Sequence, residues 1–439
     1  MSISNKLSNI INIKNNIKTS LINKGYENNI NFINYSSIIE NIEYYLPDNA
    51  SFLGYTGQEL DFTNINFSKV RNIENFFAYC NNLINIINFN SNSITNIRST
   101  NLMFSGCWNL RIVPNLNTLN ATDMEKMFSS CYNLVNIPNY NTSNVKNMAN
   151  MFFSCFNLVN VPNFDTSNVK NMSRMFVNCN NLVEIPQFNT SNVINMYSIF
   201  NGCTNLRIVP NLNTINVNNM SSMFLKCYNL IEVPNFDTSN VNSMSYMFLN
   251  CTNLRIIPNL NTINVNAMTS MFFSCYNLTE VPNFDTSNVI SIYRMFSQCN
   301  NLINVPEFNT INVNDMSYMF YNCFNLVNVP NFDTSNVTSM FQMFYYCYNL
   351  IDIPEFNTSK ITNMSGMFIY CNNLSALSYG NIANMLPSAS QLTNKYLSNI
   401  GLNIYNFTAH QVEILNSKGY IDAVVDAAQQ YKMMREESM

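Results

Sequence analysis

From Cys107 to Cys371 a cysteine falls every 24 residues without a slip: Cys107, Cys131, Cys155, Cys179, Cys203, Cys227, Cys251, Cys275, Cys299, Cys323, Cys347 and Cys371. Cys80 stands one irregular coil earlier, 27 residues upstream of Cys107, and prolines keep the same beat from Pro114 to Pro354. A fixed period of this size is the mark of a solenoid, in which each repeat buries its apolar face against its neighbours and nowhere else. An array stacks rather than closes, so a length of 439 residues does not count out two or three ordinary domains.

With the cysteine as slot 1, slot 3 is Asn and slot 4 is Leu in all thirteen copies, from Asn82 and Leu83 to Asn373 and Leu374. In the eleven full copies slot 7 is Val or Ile, slot 8 is Pro, slot 10 is Phe, Leu or Tyr, and slot 12 is Thr. Slots 18, 21 and 22 are typically Met, Met and Phe. Together with the next cysteine they fall at i, i+3, i+4 and i+7, which predicts a two-turn helix with one apolar face. Slots 4–7 suit a strand of three or four residues that the proline ends, since it has no amide to donate. Each coil therefore reads strand, turn, short helix, turn.

Charged residues make up only 10% of the chain, and the net charge is −4 with no basic run. That argues against binding nucleic acid by phosphate neutralisation. No window approaches the roughly 18 apolar residues of a membrane span, and the first residues lack a signal-peptide pattern, so the chain reads as soluble. The thirteen cysteines share one slot in a line along the array, where neither disulfides nor a metal centre can converge, and a column of buried small side chains is the expectation. His410 is the single imidazole. Without a histidine beside the thiols no nucleophilic set forms, and the chain reads as a non-enzymatic protein without cofactor or metal. Asp237, Asp285 and Asp333 share a slot but lie two coils apart, about 10 Å at strand spacing, too far to hold one ion. They read as turn caps.

The run Asn331-Phe332-Asp333-Thr334-Ser335-Asn336-Val337, followed by Met340, Met343-Phe344 and Cys347, resembles the BspA-type leucine-rich repeats of mycoplasma and other bacterial surface proteins. The resemblance covers residues 70–374. It implies an α/β repeat, a right-handed leucine-rich-repeat-like solenoid with short parallel strands and short helices, used for surface recognition. The proline at slot 8 departs from the longer strand of that family.

The ends carry resemblances of their own. Residues 1–47 read as helical, Ile17–Tyr26 followed by Tyr35–Ile42, with Tyr35–Tyr45 as the second helix, and are similar to an attachment module of bacteriophage structural proteins. Residues 48–79 read as an N-terminal cap, residues 80–380 as the solenoid, and residues 381–439 as a helical C-terminal segment with a fraying last turn at Lys432–Met439. Phe407–Tyr420 resembles an element that follows repeats in phage-encoded and surface proteins, with Thr408 capping, Val412 and Leu415 packing and Gly419 stopping the helix. These ends and the missing signal point to a virion component, a tail fibre or other appendage. A bacterial cell-surface adhesin is the alternative.

Three columns bear on binding. The Asn of slot 3 and the Thr of slot 12 read as structural, stacked copies satisfying one another and the turn backbone. Slot 2 varies yet is rich in rings: Trp108, Tyr132, Phe156, Tyr228, Tyr276, Phe324 and Tyr348. Two readings stand, a half-buried edge of the core and an exposed platform for a protein or glycan on a cell surface, or for other virion proteins. Oligomeric state is not legible.

Overall fold

Two residues in every coil have left-handed backbone, and they set the path of the whole repeat. The computed structural model describes residues 44–46, 50–94, 96–393 and 396–420. In all thirteen repeats the residues five and one before the cysteine, slots 20 and 24, have positive φ, as in Asn150 (55°) and Ser154 (58°) or Ser222 (57°) and Lys226 (60°). Each is the third residue of a tight turn. The Met151 amide donates to Met148 O and the Cys155 amide to Phe152 O, at 3.2 and 3.0 Å. A positive φ at that position is the signature of a type II turn.

Two such turns in series replace the helix expected over slots 18–22. The inward residues are nonetheless the expected ones: Met148, Met151, Phe152 and Cys155 are all fully buried. The amides that a helix would satisfy along its own axis are instead satisfied across coils. Met148, Asn150, Phe152 and Ser154 donate to the carbonyls of Asn171, Ser173, Met175 and Val177, 2.7–3.0 Å away in the next coil. With every second amide bonded to a carbonyl 23 positions on, the chain has no need of an intra-segment ladder.

The expected strand at slots 4–7 is likewise reduced. Slot 6 keeps isolated parallel bridges such as Glu232 to Ile256 and Asn328 to Asp352. The more regular ladder of parallel bridges runs along slot 17, from Ser99 through Asp123 and Asn147 to Asn171, and from Asn195 through Asn219, Ser243, Ala267, Ser291, Asp315 and Ser339 to Asn363. The architecture is a leucine-rich-repeat-like solenoid of short parallel pairings. It divides into two compact units, Met1–Val193 and Ile194–Met439.

In the first unit, Tyr44 and Tyr45 are strand rather than the end of a helix. This strand, β1 (Tyr44–Tyr45), pairs in parallel with β3 (Ile65–Asn66), and β2 (Glu59–Asp61) pairs with β4 (Asn85–Ile87). Ile65–Asn66 offers paired backbone to Tyr44–Leu46, and the Leu46 amide takes the Asn66 carbonyl at 3.1 Å, so the tyrosines extend. Phe52, Phe62, Phe67, Phe76, Phe77 and Phe89 pack edge to face and tilted over the first coil. From there a phenylalanine column at slot 22 carries the core, Phe77–Phe104–Phe128–Phe152–Phe176, with centroids 5.4–5.7 Å apart and planes within 11°. The helices expected over residues 1–43 and the charged turn Lys432–Met439 lie outside the described residues.

In the second unit the same column runs from Phe200 to Phe368. Its end is closed by α1 (Ala376–Met385), α2 (Leu397–Ile400) and α3 (Ala409–Ser417). Ser375 caps α1, which starts directly behind the last repeat. The final coil has no successor to accept its amides, and α2 takes that place: Gly366 and Phe368 donate to Asn399 O and Ile400 O at 2.6 and 2.8 Å. Gln391 Nε2 reaches the carbonyls of Thr358, Ser359 and Ile361, and Lys418 Nζ the Ala383 carbonyl. Thr408 and Gln411 form a capping box on α3, Leu415 is fully buried, Val412 is half-buried and Gly419 has φ +89°. The reading of residues 407–420 therefore holds as local structure, and that structure is part of an array cap.

Candidate binding surface

The slot-2 side chain is turned outward by its neighbours. On one side the slot-1 thiol points into the core and donates to a backbone carbonyl of the preceding coil; on the other, slot 4 Leu is fully buried. The Leu158 amide closes a tight turn on Cys155 O at 3.1 Å, and slot 2 rides its outer corner. Trp108, Phe156, Tyr228, Tyr276 and Tyr348 are 37–44% exposed, while Tyr132 and Phe324 are half-buried. The row thus lies at the surface with part of each ring in solvent and part against the coil.

Its members come together in part. In the first unit Trp108, Tyr132 and Phe156 form a stack of three, with centroids 5.8 and 4.9 Å apart and planes 15° and 18° off parallel. In the second unit Phe324 and Tyr348 lie 5.6 Å apart, tilted by 35°. Tyr228 and Tyr276 are separated by the coil of Thr252, whose hydroxyl donates to the Tyr228 carbonyl.

A larger aromatic patch escaped the sequence reading. Tyr346 stacks on Tyr370 at 4.5 Å and 1°, and both touch Tyr348. Tyr345 joins them to Tyr321, Tyr321 meets Tyr318, and Tyr318 meets Phe341 and Tyr293. The Arg294 guanidinium lies over the rings of Tyr293 and Tyr318, at 5.1 and 4.6 Å. Apart from Tyr348 these residues occupy slots 19, 20, 23 and 24, which vary along the array; the stacked pairs are copies one period apart, Tyr321 and Tyr345 at slot 23 and Tyr346 and Tyr370 at slot 24, but each identity lasts only two adjacent coils there. The signal that could have found them is the crowding of Tyr318, Tyr321, Tyr345, Tyr346, Tyr348 and Tyr370 into three coils.

The other columns hold the scaffold. Asn133 donates to Asn109, Asn157 to Asn133, Asn253 to Asn229 and Asn277 to Asn253, amide to amide at 3.1–3.2 Å. Slot 12 works differently from a stack of hydroxyls: Thr166 donates to Asn189 O and Thr238 to Asn261 O, each a backbone carbonyl of the next coil. A third column, at slot 14, was not anticipated; Asn168 Nδ2 donates to Ser143 O and Asn240 Nδ2 to Ile215 O, both at 2.7 Å. Asp165, Asp237, Asp285 and Asp333 cap turns as expected. The Ser two residues on donates its backbone amide to the carboxylate, and for Asp165 and Asp237 its hydroxyl as well. The Ser hydroxyl and then the amide hold these carboxyls below their ordinary range.

All thirteen thiols are free and buried. Burial is the main cause that pushes up the thiols of Cys131, Cys155, Cys227, Cys251, Cys275, Cys299, Cys323 and Cys347, and of Cys371 to about 12. His410 is exposed on α3 and lies 3.6 Å from Glu413. Among the described residues no cluster of three or more His, Cys, Asp or Glu could hold a metal ion, and no helix is long and apolar enough to cross a membrane.

The chain matches the model of a family described as mycoplasma protein of unknown function, DUF285, in overlapping windows over 47–155, 98–209, 154–255, 180–275, 205–304, 253–350 and 295–399. Solved structures similar to it include a leucine-rich repeat protein from Bacteroides ovatus ATCC 8483, at 16% identity and TM-score 0.33, over 76% of this chain and 83% of that one. A leucine rich cell surface protein from Faecalibacterium prausnitzii A2-165 is similar at 17% identity and TM-score 0.37, over 76% and 86%. The pneumococcal vaccine antigen PcpA is similar at 15% identity and TM-score 0.31, over 80% and 81%. No curated protein sequence matches the chain.

Proposed function

The chain belongs to the DUF285 family of mycoplasma proteins of unknown function, and from its exposed rings we propose that it is a cell-surface repeat protein that binds a partner by stacking. The observation that carries the reading is the solvent-facing position of Trp108, Phe156, Tyr228, Tyr276 and Tyr348 on one repeated corner of the coil. Flat rings held by a backbone ladder lose little conformational entropy on binding, and ring pairs can accept either a sugar face or an apolar side chain. The partner class is a protein or glycan on another cell surface.

The virion reading loses its footing on the described residues. Residues 407–420, similar to a phage element in sequence, serve here as the cap of the array, and residues 17–42 lie outside the described residues. The surface location is therefore the reading put forward, on the resemblance of the repeats to bacterial surface proteins. Binding rather than catalysis suits a chain whose thiols are buried and whose single imidazole lies exposed on a cap helix.

The test replaces Tyr228 and Tyr276 by Ser and measures adhesion of the purified chain to cells and to immobilised glycans, with circular dichroism as the control for folding. Loss of adhesion with an unchanged spectrum supports the reading. Unchanged adhesion removes these rings from the site, and unfolding returns the row to the core.

A further inference from the structure

Slots 5 and 6 form a second exposed face, opposite in character to the aromatic corner. In the second unit its backbone pairs in parallel in two runs, from the coil of Arg207 to that of Arg255 and from the coil of Thr279 to that of Ile351. Ile231 donates to Arg207 O at 3.2 Å, Arg255 to Ile231 O at 3.1 Å, Ile303 to Thr279 O, Val327 to Ile303 O and Ile351 to Val327 O at 2.8–3.3 Å, and Glu232 bridges Ile256. On that face four successive coils carry charges of alternating sign, Arg207, Glu232, Arg255 and Glu280, all exposed. Between them lie apolar side chains, with Ile208 52% and Ile256 63% exposed.

Opposite charges one coil apart could close on each other, and these do not. Among the described residues the ion pairs are Lys126–Glu125 and His410–Glu413. The four side chains of the face are committed to nothing within the chain.

We propose that this face is a self-complementary contact by which two copies of the chain associate. The order plus, minus, plus, minus is reversed by a two-fold axis that lies in the contact plane, parallel to the strands, between the coils of Cys227 and Cys251. The coil of Arg207 then meets the coil of Glu280 of the second copy, and the coil of Glu232 meets that of Arg255. Every charge faces a coil of opposite sign. Slot 5 lies over slot 5, so Arg255 rests on Ile231 of the second copy, one residue (about 3.3 Å) from its Glu232. Contacts of this kind are isologous and close on themselves. Sliding by one coil sets Arg against Arg and Glu against Glu, so the pattern specifies register as well as partner.

The size of the face sets the strength. On this axis the four charged coils overlap, which at about 4.8 Å each span roughly 20 Å, and with a width of roughly 15 Å the contact covers on the order of 300 Å² per partner. Standard interfaces bury about 800 Å² per partner, so the association is weak and reversible. It suits proteins held at high local density on one surface, where a second contact becomes intramolecular in effect. The inference does not rest on the aromatic corner.

Sedimentation equilibrium of the full chain from about 10 μM to 1 mM tests it. The wild type is expected to form a dimer that salt weakens. The variant R207E with R255E, whose row is all acidic, and the variant E232R with E280R, whose row is all basic, should each associate at least 10-fold more weakly. Mixed one to one, the two variants should form a heterodimer. A wild type that stays monomeric to 1 mM overturns the proposal, as do variants that dimerise like the wild type, a mixture that does not pair, or open-ended polymers in place of a dimer. Y228S with Y276S should leave the dimer unchanged.

Discussion

The Cys155 thiol donates to the Phe128 carbonyl at 3.1 Å, the same oxygen that takes the Cys131 amide at 3.1 Å. The pattern recurs from Cys80 on Phe52 to Cys371 on Phe344, so the column is a chain of S–H to carbonyl bonds as well as a file of small apolar groups. Removing one thiol in mid-array leaves its carbonyl with one donor and opens a small void. Cys251→Ala is expected to lower stability by about 1–2 kcal/mol, and Cys251→Ser, which keeps a donor, by less. Guanidinium midpoints of the two variants against wild type measure the difference.

The buried thiols make the fold sensitive to alkali. In the folded chain burial raises their pKa values, so they stay protonated where thiols of the unfolded chain, ordinarily near 9, ionise. For an acid whose folded pKa lies above its unfolded value, stability is complete below the unfolded pKa and falls as pH rises past it. Each such thiol should remove about 1.4 kcal/mol per pH unit above that point. Thermal melts between pH 8 and 10.5 should therefore show a steep loss, and a thiol reagent at pH 7.5 should label the native chain far more slowly than the unfolded one.

Slots 20 and 24 give a conformational test. The Lys226 backbone is left-handed at φ 60°, where a β-branched side chain is strained and glycine is not. Lys226→Val should cost about 1–2 kcal/mol, and Lys226→Gly should be neutral or stabilising. Urea unfolding of both variants decides it.

Trp108 is the only tryptophan, and it sits at one end of the three-ring stack. Its emission should shift when a partner occupies the row, without any label. Trp108→Ala with Tyr132→Ala should weaken binding about 30-fold or more, as loss of an aromatic anchor commonly costs about 2 kcal/mol. Binding isotherms on immobilised partner, with melting curves as control, are the measurement.

The cap has one position that admits only glycine. Gly401 has φ +92°, and a Cβ there would meet the Ile369 backbone nitrogen at 2.3 Å. Gly401→Ala should push α2 off the last coil, expose the amides of Gly366 and Phe368, and lower stability by about 3 kcal/mol or more. Hydrogen exchange at those two amides should rise well above that of mid-array amides.

The residues say a good deal of this without the structure, and for one reason. A strict period stacks every residue on its own copy 24 positions away, so a repeated identity declares its surroundings. Leu at slot 4, Cys at slot 1 and the Met and Phe of slots 18–22 are buried as their spacing implied, the Asn amides ladder, and Thr408 caps, Leu415 packs and Gly419 ends the helix as expected. Even the left-handed turns left a trace: slots 20 and 24 hold no Val, Ile, Thr or Pro in any repeat. What spacing could not decide was where the backbone amides go. Two type II turns and a two-turn helix both turn i, i+3, i+4 and i+7 inward, and only the neighbouring coil, which supplies the acceptors, selects the turns. The Tyr346–Tyr370 stack obeys the same rule, two tyrosines at slot 24 one period apart, but the identity holds over only those two adjacent coils, and the contacts that join it to Tyr345 and Tyr348 at other slots exist only once the coils are placed side by side.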